Sequence, residues 1–214
     1  MKTAFIIDGF NFYHSIEKLP KFTRWIDYKK LCSILLDQED ECTSITYCTA
    51  IATFRNHDSM TRHVNFIEAC KINGIEVIEG KFKTKFWKCK KCHNDNEHHE
   101  EKRTDVNVAV TAYRKAAKGL ADKIIIVSGD TDMIPAIQAI KADFPNIQIG
   151  IATPLNRHNN EIAREASFVK TIKEILIYRC ILPRRLTNSN GNIIYCPDYW
   201  LMNCPKDKQK FLPH

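Results

Sequence analysis

The sequence predicts an α/β protein in which helices cover both faces of a central, mainly parallel sheet. Along most of the 214 residues, β-branched apolar runs alternate with segments of helical periodicity, and this alternation is typical of parallel sheets with right-handed crossovers. Two of the runs, 4–7 and 124–127, are apolar throughout, as expected for strands buried on both faces. Both lead directly into turns that carry aspartate. Because such sheets bind ligands beyond the carboxyl ends of their strands, these turns are expected to lie at a ligand site.

The remaining elements follow from local start and stop signals. Strands are predicted, in chain order, over 3–8, 44–53, 75–78, 123–127 and 147–152. Helices are predicted after polar residues that can cap them, over 11–19, from 27, from 58 or 59 to 71, and over 104–118, 132–142, 159–166 and 171–179. The stretch 80–100 interrupts this rhythm and is interpreted as an insertion. Residues 1–170 are therefore expected to form one domain, on which a helix and tail at 171–214 pack.

Composition limits the classes of function. The net charge of +7 suits a polyanionic partner, although ordinary surface charge for solubility explains the same value. No apolar run approaches the roughly 20 residues that cross a bilayer, and the short apolar start that ends in Asp8 does not match a secretion signal. We therefore expect no membrane partner and a cytoplasmic location, where the nine irregularly spaced cysteines stay mostly reduced. The seven glycines form neither a dinucleotide-binding pattern nor a P-loop.

Three aspartates on separate segments are the strongest candidates for chemistry. Asp8 and Asp130 follow the two buried runs, and Asp105 lies in the first turn of a predicted helix. Carboxylates gathered at one site repel one another unless a divalent cation lies between them. Asp105, Asp132 and Asn11 also admit a simpler interpretation, as residues that cap or stabilise the start of a helix. No such interpretation is expected for Asp8, because a buried strand ends there.

Three segments of the chain resemble the NYN domain, a LabA-like family within the PIN-like ribonuclease superfamily. They span residues 5–11, 101–110 and 127–137 and occur in the family's order. The resemblance implies a Rossmann-like, three-layer fold with sheet order 3-2-1-4-5, and a site for Mg²⁺ or Mn²⁺. The metal ligands that it implies are three carboxylates and one auxiliary: Asp8, Asp105, Asp130 and Asp132. It also places Asn11 and Ser128 among the polar residues that line the same pocket.

One position departs from the family's pattern. Many relatives carry a further Asp after the last sheet strand, where this chain has Ser167. If that position holds an outer ligand, coordination of two metal ions here lacks it, unless Glu161 takes its place.

These residues predict a metal-dependent endoribonuclease that acts on RNA, most simply single-stranded RNA. Hydrolysis of a phosphodiester needs an activated water and shielding of the phosphoryl oxygens, and Mg²⁺ or Mn²⁺ held by carboxylates supplies both. In-line attack is expected to leave a 5′-phosphate and a 3′-hydroxyl. The alternative is an RNA-binding or regulatory module with weak catalysis. A phosphoaspartate hydrolase is disfavoured, because its chemistry needs a second Asp where Phe10 stands.

The insertion at 80–100 is predicted to form a basic hairpin. Its first half alternates lysines with aromatic residues, so one face can contact phosphates while rings stack on bases. The nucleic-acid contacts predicted here, in addition to Ser128, are Lys81, Lys83, Lys85, Phe86, Trp87, Lys88 and Lys102. An edge hairpin whose aromatic residues pack on the domain while its lysines protect the edge fits the same pattern.

The far end of the insertion carries half of a zinc pattern. Cys89 and Cys92 have zinc-knuckle spacing, and His98 and His99 follow closely enough to complete a tetrahedral site. A structural Zn²⁺ is therefore one interpretation of the insertion, and Cys196 and Cys204 of the tail are alternative ligands to complete it. A thioredoxin-type redox pair is disfavoured, because the two cysteines do not open a helix after a strand. A homodimer is also compatible with the sequence.

Overall fold

The computed structural model describes residues 1–88 and 94–214. Within these ranges ten strands occur: β1 (Lys2–Asp8), β2 (Glu41–Thr49), β3 (Glu76–Glu79), β4 (Lys81–Lys88), β5 (Asp95–Lys102), β6 (Lys123–Val127), β7 (Gln148–Thr153), β8 (Phe168–Thr171), β9 (Arg185–Thr187) and β10 (Ile193–Tyr195). The α-helices are α1 (Gly9–Ser15), α2 (Tyr28–Leu35), α3 (His57–Ile72), α4 (Thr104–Ala117), α5 (Ile134–Asp143), α6 (Asn160–Glu165), α7 (Glu174–Arg179) and α8 (Asp198–Leu201). A short 3₁₀ turn, Thr131–Met133, precedes α5.

Six strands form one parallel sheet in the order β3-β2-β1-β6-β7-β8. Its first five members reproduce the predicted order 3-2-1-4-5, so the α/β, Rossmann-like prediction is confirmed. The sixth strand, β8, was not predicted. It has only four residues, of which Lys170 is one, and its side chains alternate between half-buried and exposed, so the sequence offers no apolar run there.

The two faces of the sheet bury separate cores, because consecutive strand residues point to opposite sides. Phe5 and Ile7 belong to a core shared with α1, α2 and α3. Ala4 and Ile6 belong to a second core, shared with α4, α5 and α6. Both sets are fully buried, and apolar burial at about 25 cal/mol per Å² is the main stabilising term for such a three-layer arrangement.

The segment after β8 packs on the first of these cores. Ile177, Leu182 and Trp200 are buried in it, and the indole N–H of Trp25 donates a hydrogen bond to the Pro183 carbonyl at 2.9 Å. The tail therefore shares its hydrophobic core with the sheet and packs against α3 and the 3₁₀ turn Lys21–Arg24.

The insertion forms the antiparallel hairpin β4–β5, which is separate from the main sheet. It is less basic than its first strand suggests. Glu100 on β5 forms ion pairs with both Lys85 and Lys102, so two of the predicted phosphate contacts already have an anionic partner. Residues 89–93 lie outside the described part of the chain.

The described helices also bear on the membrane question. None of them combines the length and the apolar character that a transmembrane span requires.

Candidate functional site

The sheet reverses its strand order between β1 and β6, since β2 and β3 lie on one side of β1 while β6, β7 and β8 lie on the other. In parallel α/β sheets, this is where the carboxyl ends of two adjacent strands leave a crevice for a ligand. Asp8 ends β1, and residues 128–130 directly follow β6. The two acidic turns therefore meet at this crevice.

Asp8 is a buried carboxylate with two hydrogen-bond donors. It is 2% exposed, and it accepts hydrogen bonds from the main-chain N–H of Asn11 at 3.0 Å and the hydroxyl of Ser128 at 2.9 Å. The first of these bonds caps α1, which begins at Gly9. The prediction that Asp8 has no capping role and that Asn11 caps the helix was therefore wrong, because the strand passes into the helix without a linker.

The charge state of Asp8 is set mainly by its burial. Burial raises the pKa of this carboxyl to about 6, and the nearby charges of Asp105 and Asp130 add to the rise, while the two hydrogen bonds oppose it. Asp8 is thus ionised at neutral pH at a cost that a bound cation would offset.

Hydrogen bonds tie the second acidic turn to the first. The Asn11 amide oxygen accepts from the N–H of Gly129 at 3.1 Å, and the Ser128 hydroxyl oxygen accepts from the N–H of Asp130 at 3.1 Å. Asp130 in turn caps the 3₁₀ turn by accepting from the N–H of Asp132 at 3.0 Å. Ser128 is fully buried and bonds to Asp8, so it positions the carboxylates and does not fit the predicted contact with nucleic acid.

The start of α4 brings two more carboxylates to the crevice. Burial raises the pKa of Asp105, and the charges of Asp130 and Asp132 add to the rise. Burial also raises the pKa of Glu101 to about 7, with Asp105 and Asp8 adding to it. These mutual effects place the carboxylates within electrostatic reach of one another.

Glu101 was not among the predicted site residues, although it lies in the motif that holds Asp105. It is the second-last residue of β5, two residues before Arg103, whose left-handed backbone (φ 82°) turns the chain into α4. Its Oε1 atom is buried and has no hydrogen-bond partner among the described residues. The sequence feature that could have identified Glu101 as a site residue is its position four residues before Asp105 in the same motif.

The carboxylates fit a hard divalent cation by their chemistry. None of Asp8, Glu101, Asp105, Asp130 and Asp132 forms an ion pair with a Lys, Arg or His of the described residues. Oxygen-only donor sets of this kind suit Mg²⁺ or Mn²⁺. However, no three acidic, His or Cys side chains within residues 1–88 and 94–214 lie close enough together in this arrangement to hold a metal ion. The donors are thus suitable in type and are spread around the crevice.

Two glycines allow the backbone to pass close to its neighbours here. A β-carbon at Gly9 would lie 2.6 Å from the carbonyl oxygen of Cys48. A β-carbon at Gly129 would overlap the carbonyl oxygen of Arg157. Both acidic turns therefore need glycine for close approach rather than for an unusual backbone angle.

Ser167 lies away from this site. Its main-chain N–H bonds to the Ile149 carbonyl near the start of β7, and β8 begins only at Phe168. Position 167 is therefore at the amino-terminal edge of the sheet, whereas Asp8 is at the carboxyl edge. The inference that Ser167 marks a lost outer metal ligand was wrong, because the unpredicted strand β8 intervenes.

Lys85 and Lys102 pair with Glu100, whereas the other predicted nucleic-acid contacts of the hairpin are exposed. Phe86 and Trp87 are 76% and 55% exposed near the far end of the hairpin. Lys81, Lys83 and Lys88 are also exposed. All of these side chains are available to a ligand, and their contact with nucleic acid stays a prediction.

The proposed zinc ligands separate as well. His98 and His99 are adjacent strand residues and point to opposite sides of β5. His99 stacks on Phe54 at a centroid distance of 3.7 Å, and its Nδ1 lies 3.1 Å from the Thr84 hydroxyl. A single zinc site that uses both histidines does not fit this geometry. Cys89 and Cys92 lie outside the described residues.

A cavity of about 510 Å³ adjoins the carboxylates. Glu101 belongs to both, and Gly9 and Phe10, which follow Asp8, form part of the cavity wall. The rest of the wall comes from α1, the segments 21–28 and 47–55, α3, the hairpin and the tail, which supplies Tyr199 and Trp200. This cavity was not predicted, because its walls come from segments far apart in the chain.

Comparisons with known proteins agree with this fold. The NYN domain profile matches residues 2–169. A solved structure of a Vibrio parahaemolyticus protein of unknown function, VPA0982, superposes with a TM-score of 0.54 over 85% of this chain and 96% of that one, at 20% identity. At that identity the likeness concerns the fold alone.

A curated relative carries the name of a different activity. The 6-hydroxy-3-succinoylpyridine 3-monooxygenase HspA of Pseudomonas putida is 30% identical over 74% of this chain. This chain spans only 61% of that protein's length.

Proposed function

The chain belongs to the NYN domain family, which has a nuclease-like fold, and from this premise we propose that it is a divalent-metal-dependent endoribonuclease. The observation that carries the proposal is the group of carboxylates at the strand-order reversal, which has no counter-cation among the described residues. Its proposed substrate is single-stranded RNA, and its proposed cofactor is Mg²⁺ or Mn²⁺.

The chain's own residues divide the work. Asp8, Asp105 and Asp130 would hold the cation, with Asp132 as an auxiliary, and the bound cation would supply an activated water and shield the phosphoryl oxygens. Ser128 fixes the position of Asp8 through its hydroxyl.

Asn11 has one group left for the substrate. Its side-chain oxygen accepts the N–H of Gly129, so its amide N–H₂ is the group that can orient a water or a phosphate oxygen. In-line attack then leaves a 5′-phosphate and a 3′-hydroxyl.

The test is RNA cleavage by the purified protein with Mg²⁺, Mn²⁺ or EDTA, on single-stranded RNA, duplex RNA and single-stranded DNA. We expect cleavage of single-stranded RNA that EDTA abolishes and Mn²⁺ restores. The Asp130→Asn variant should lose this activity. The matched variant Asp143→Asn, whose carboxylate bonds to Tyr113 at the far end of α5, should keep it.

Two results would contradict the proposal. Cleavage that persists in EDTA, or that survives in Asp130→Asn, would show that the carboxylates do not act through a metal. Tight RNA binding without cleavage under any metal condition would favour the alternative function, an RNA-binding or regulatory module.

A second candidate function comes from the name of the Pseudomonas putida relative, which describes oxygenation of a substituted pyridine. The observation that favours it is the 30% identity, together with an adjoining cavity whose walls are aromatic and cationic and thus suit an aromatic acid. It is distinguished by incubating the protein with 6-hydroxy-3-succinoylpyridine, O₂ and a chemical electron donor. Substrate-dependent consumption of O₂, without RNA cleavage, would replace the ribonuclease proposal.

A further inference from the structure

The cavity beside the carboxylates has a strong excess of positive charge. Lys21, Arg24, Arg55 and Arg62 line it, and Glu101 is its one acidic lining residue among those described. None of the four cations forms an ion pair with a described carboxylate. Cations left unpaired in a partly enclosed site favour an anionic ligand.

The state of Arg24 supports the same conclusion. One of its terminal nitrogens donates to the Glu17 carbonyl oxygen at 3.3 Å, but its Nε is buried and has no hydrogen-bond partner in the described part of the chain. An unsatisfied buried donor is costly, and an anion in the cavity would supply its acceptor.

Aromatic rings form much of the remaining wall. Phe54 and Phe82 pack edge to face at 5.0 Å, and Phe82 contacts Phe10 in the same way at 5.4 Å. Tyr199 has Lys21 and Arg62 against its ring, at 3.9 and 4.3 Å from the centroid. The cations therefore lie next to aromatic surface, so one ligand can contact both. This combination matches a ligand that joins a planar ring to a phosphate.

The size and position of the cavity narrow the ligand further. A volume of about 510 Å³ falls within the roughly 300–1,000 Å³ typical of small-ligand sites. A base that is paired and stacked in a duplex is not accessible to an enclosed site. Because Glu101 is shared with the carboxylate cluster, a nucleotide in the cavity lies next to the proposed cleavage point.

We propose that this cavity binds one unpaired nucleotide of the RNA strand, next to the phosphodiester at the carboxylates. The aromatic walls contact the base, and the cations of the cavity contact the phosphate. This inference rests on the proposed ribonuclease function and adds to it a physical reason for cutting single strands.

The chemistry of recognition is tested first with small probes, using the full chain in EDTA. Adenosine monophosphate should bind in calorimetry, whereas ribose 5-phosphate, which lacks the base and its stacking on aromatic rings, should bind about tenfold more weakly. The double variant Arg55→Gln/Arg62→Gln should weaken binding of adenosine monophosphate about tenfold or more. The control Arg114→Gln removes an exposed helical arginine outside the cavity and should bind normally. Equal binding of the two probes, or no effect of the double variant, would overturn the inference.

The source of the nucleotide is tested with RNA strands that carry a single abasic nucleotide at successive positions. Cleavage by the wild-type protein with Mn²⁺ should fall about tenfold or more when the abasic position is at one fixed distance from the cut, and hardly elsewhere. Uniform cleavage of all these strands, with adenosine monophosphate still bound, would mean that the cavity takes a free nucleotide and would overturn the strand assignment.

The two proposals fail in different ways. If RNA is cleaved but neither the cavity variant nor the abasic position matters, the ribonuclease stands and the cavity inference is wrong. If no RNA is cleaved but the cavity variant loses adenosine monophosphate, the ribonuclease proposal and the strand assignment are wrong, and only a nucleotide site remains.

Discussion

The carboxylate crevice and the adjoining cavity share Glu101 but have opposite charge. The acidic side chains of the crevice form no ion pair with a described Lys, Arg or His. The cations of the cavity form no ion pair with a described carboxylate. The crevice is thus suited to binding a cation, and the cavity is suited to binding an anion. The difference indicates that chemistry and recognition belong to separate sets of side chains, so variants should affect them separately.

The largest expected effect comes from Asp8→Asn. Asparagine keeps a side-chain oxygen that can cap α1 but removes the charge that would hold the cation. We expect kcat for RNA cleavage to fall by about 10³-fold or more, with binding of adenosine monophosphate to the cavity unchanged. An equal loss in cleavage and in nucleotide binding would break the separation between the two regions.

The same substitution should change how stability depends on pH. The folded-state pKa of Asp8 is raised from the usual 3.8 to about 6, so the stability that its protonated form contributes is complete below pH 3.8 and lost as pH rises through 6. The wild-type protein should therefore lose about 3 kcal/mol of unfolding free energy over this window through Asp8 alone. In EDTA, denaturant unfolding should show Asp8→Asn to be more stable than wild type at pH 7.5 and no more stable at pH 3.5. If the difference in unfolding free energy between Asp8→Asn and wild type were the same at pH 7.5 and pH 3.5, the raised pKa would be refuted.

Glu101→Gln tests the residue that the two regions share. Because burial raises the pKa of Glu101 to about 7, its charge becomes available to a cation only as pH rises through that value. We expect Mn²⁺ affinity, measured calorimetrically, to rise more steeply between pH 6 and 8 in wild type than in the variant. Cleavage by the variant at pH 8 should fall roughly tenfold. A variant with wild-type metal affinity at both pH values would assign Glu101 to the cavity alone.

The smallest expected effect is at the far end of the hairpin. Replacing Phe86 and Trp87 by serine removes two exposed rings, which should leave the melting temperature unchanged and weaken binding of long RNA about fivefold. Tyr195→Ser, at a comparably exposed ring on β10, serves as the control. A weakening that is the same for a long strand and for adenosine monophosphate would place these rings at the cavity instead.

The sequence predicted the parts of the fold that depend on local pattern. The runs 4–7 and 124–127 have no polar interruption, so strands β1 and β6 and the acidic turns after them followed directly. Strand β8 was not predicted, because this four-residue edge strand carries Lys170 and so has no uninterrupted apolar run. Because β8 was missing from the prediction, Ser167 was assigned to the carboxyl edge of the sheet, beside the site, and a lost ligand was expected there.

The site was predictable in its aspartates and in Asn11 and Ser128, which belong to the same motifs. A motif places Asp8, Asp105 and Asp130 together, but it does not indicate that Asp8 caps α1 or that Glu101 is buried, because both depend on packing between distant segments. The cavity was less accessible still. Tyr199 is brought to Lys21 and Arg62 by a tail whose path over the domain is set by the burial of Trp200.

The chain enters and leaves the hairpin at one narrow point, since Lys81 pairs with Lys102 at its base and a β-carbon on Gly80 would lie 2.8 Å from the Lys102 carbonyl oxygen. Only its inner half packs on the domain among the described residues, through Phe82 and His99. Its two strands leave and return at the same place, just before α4. A change of length or sequence at its far end therefore leaves Glu101 and Asp105 where they are. For protein engineering, the outer half of the hairpin is therefore a segment that can be shortened or exchanged without moving the carboxylates of the crevice.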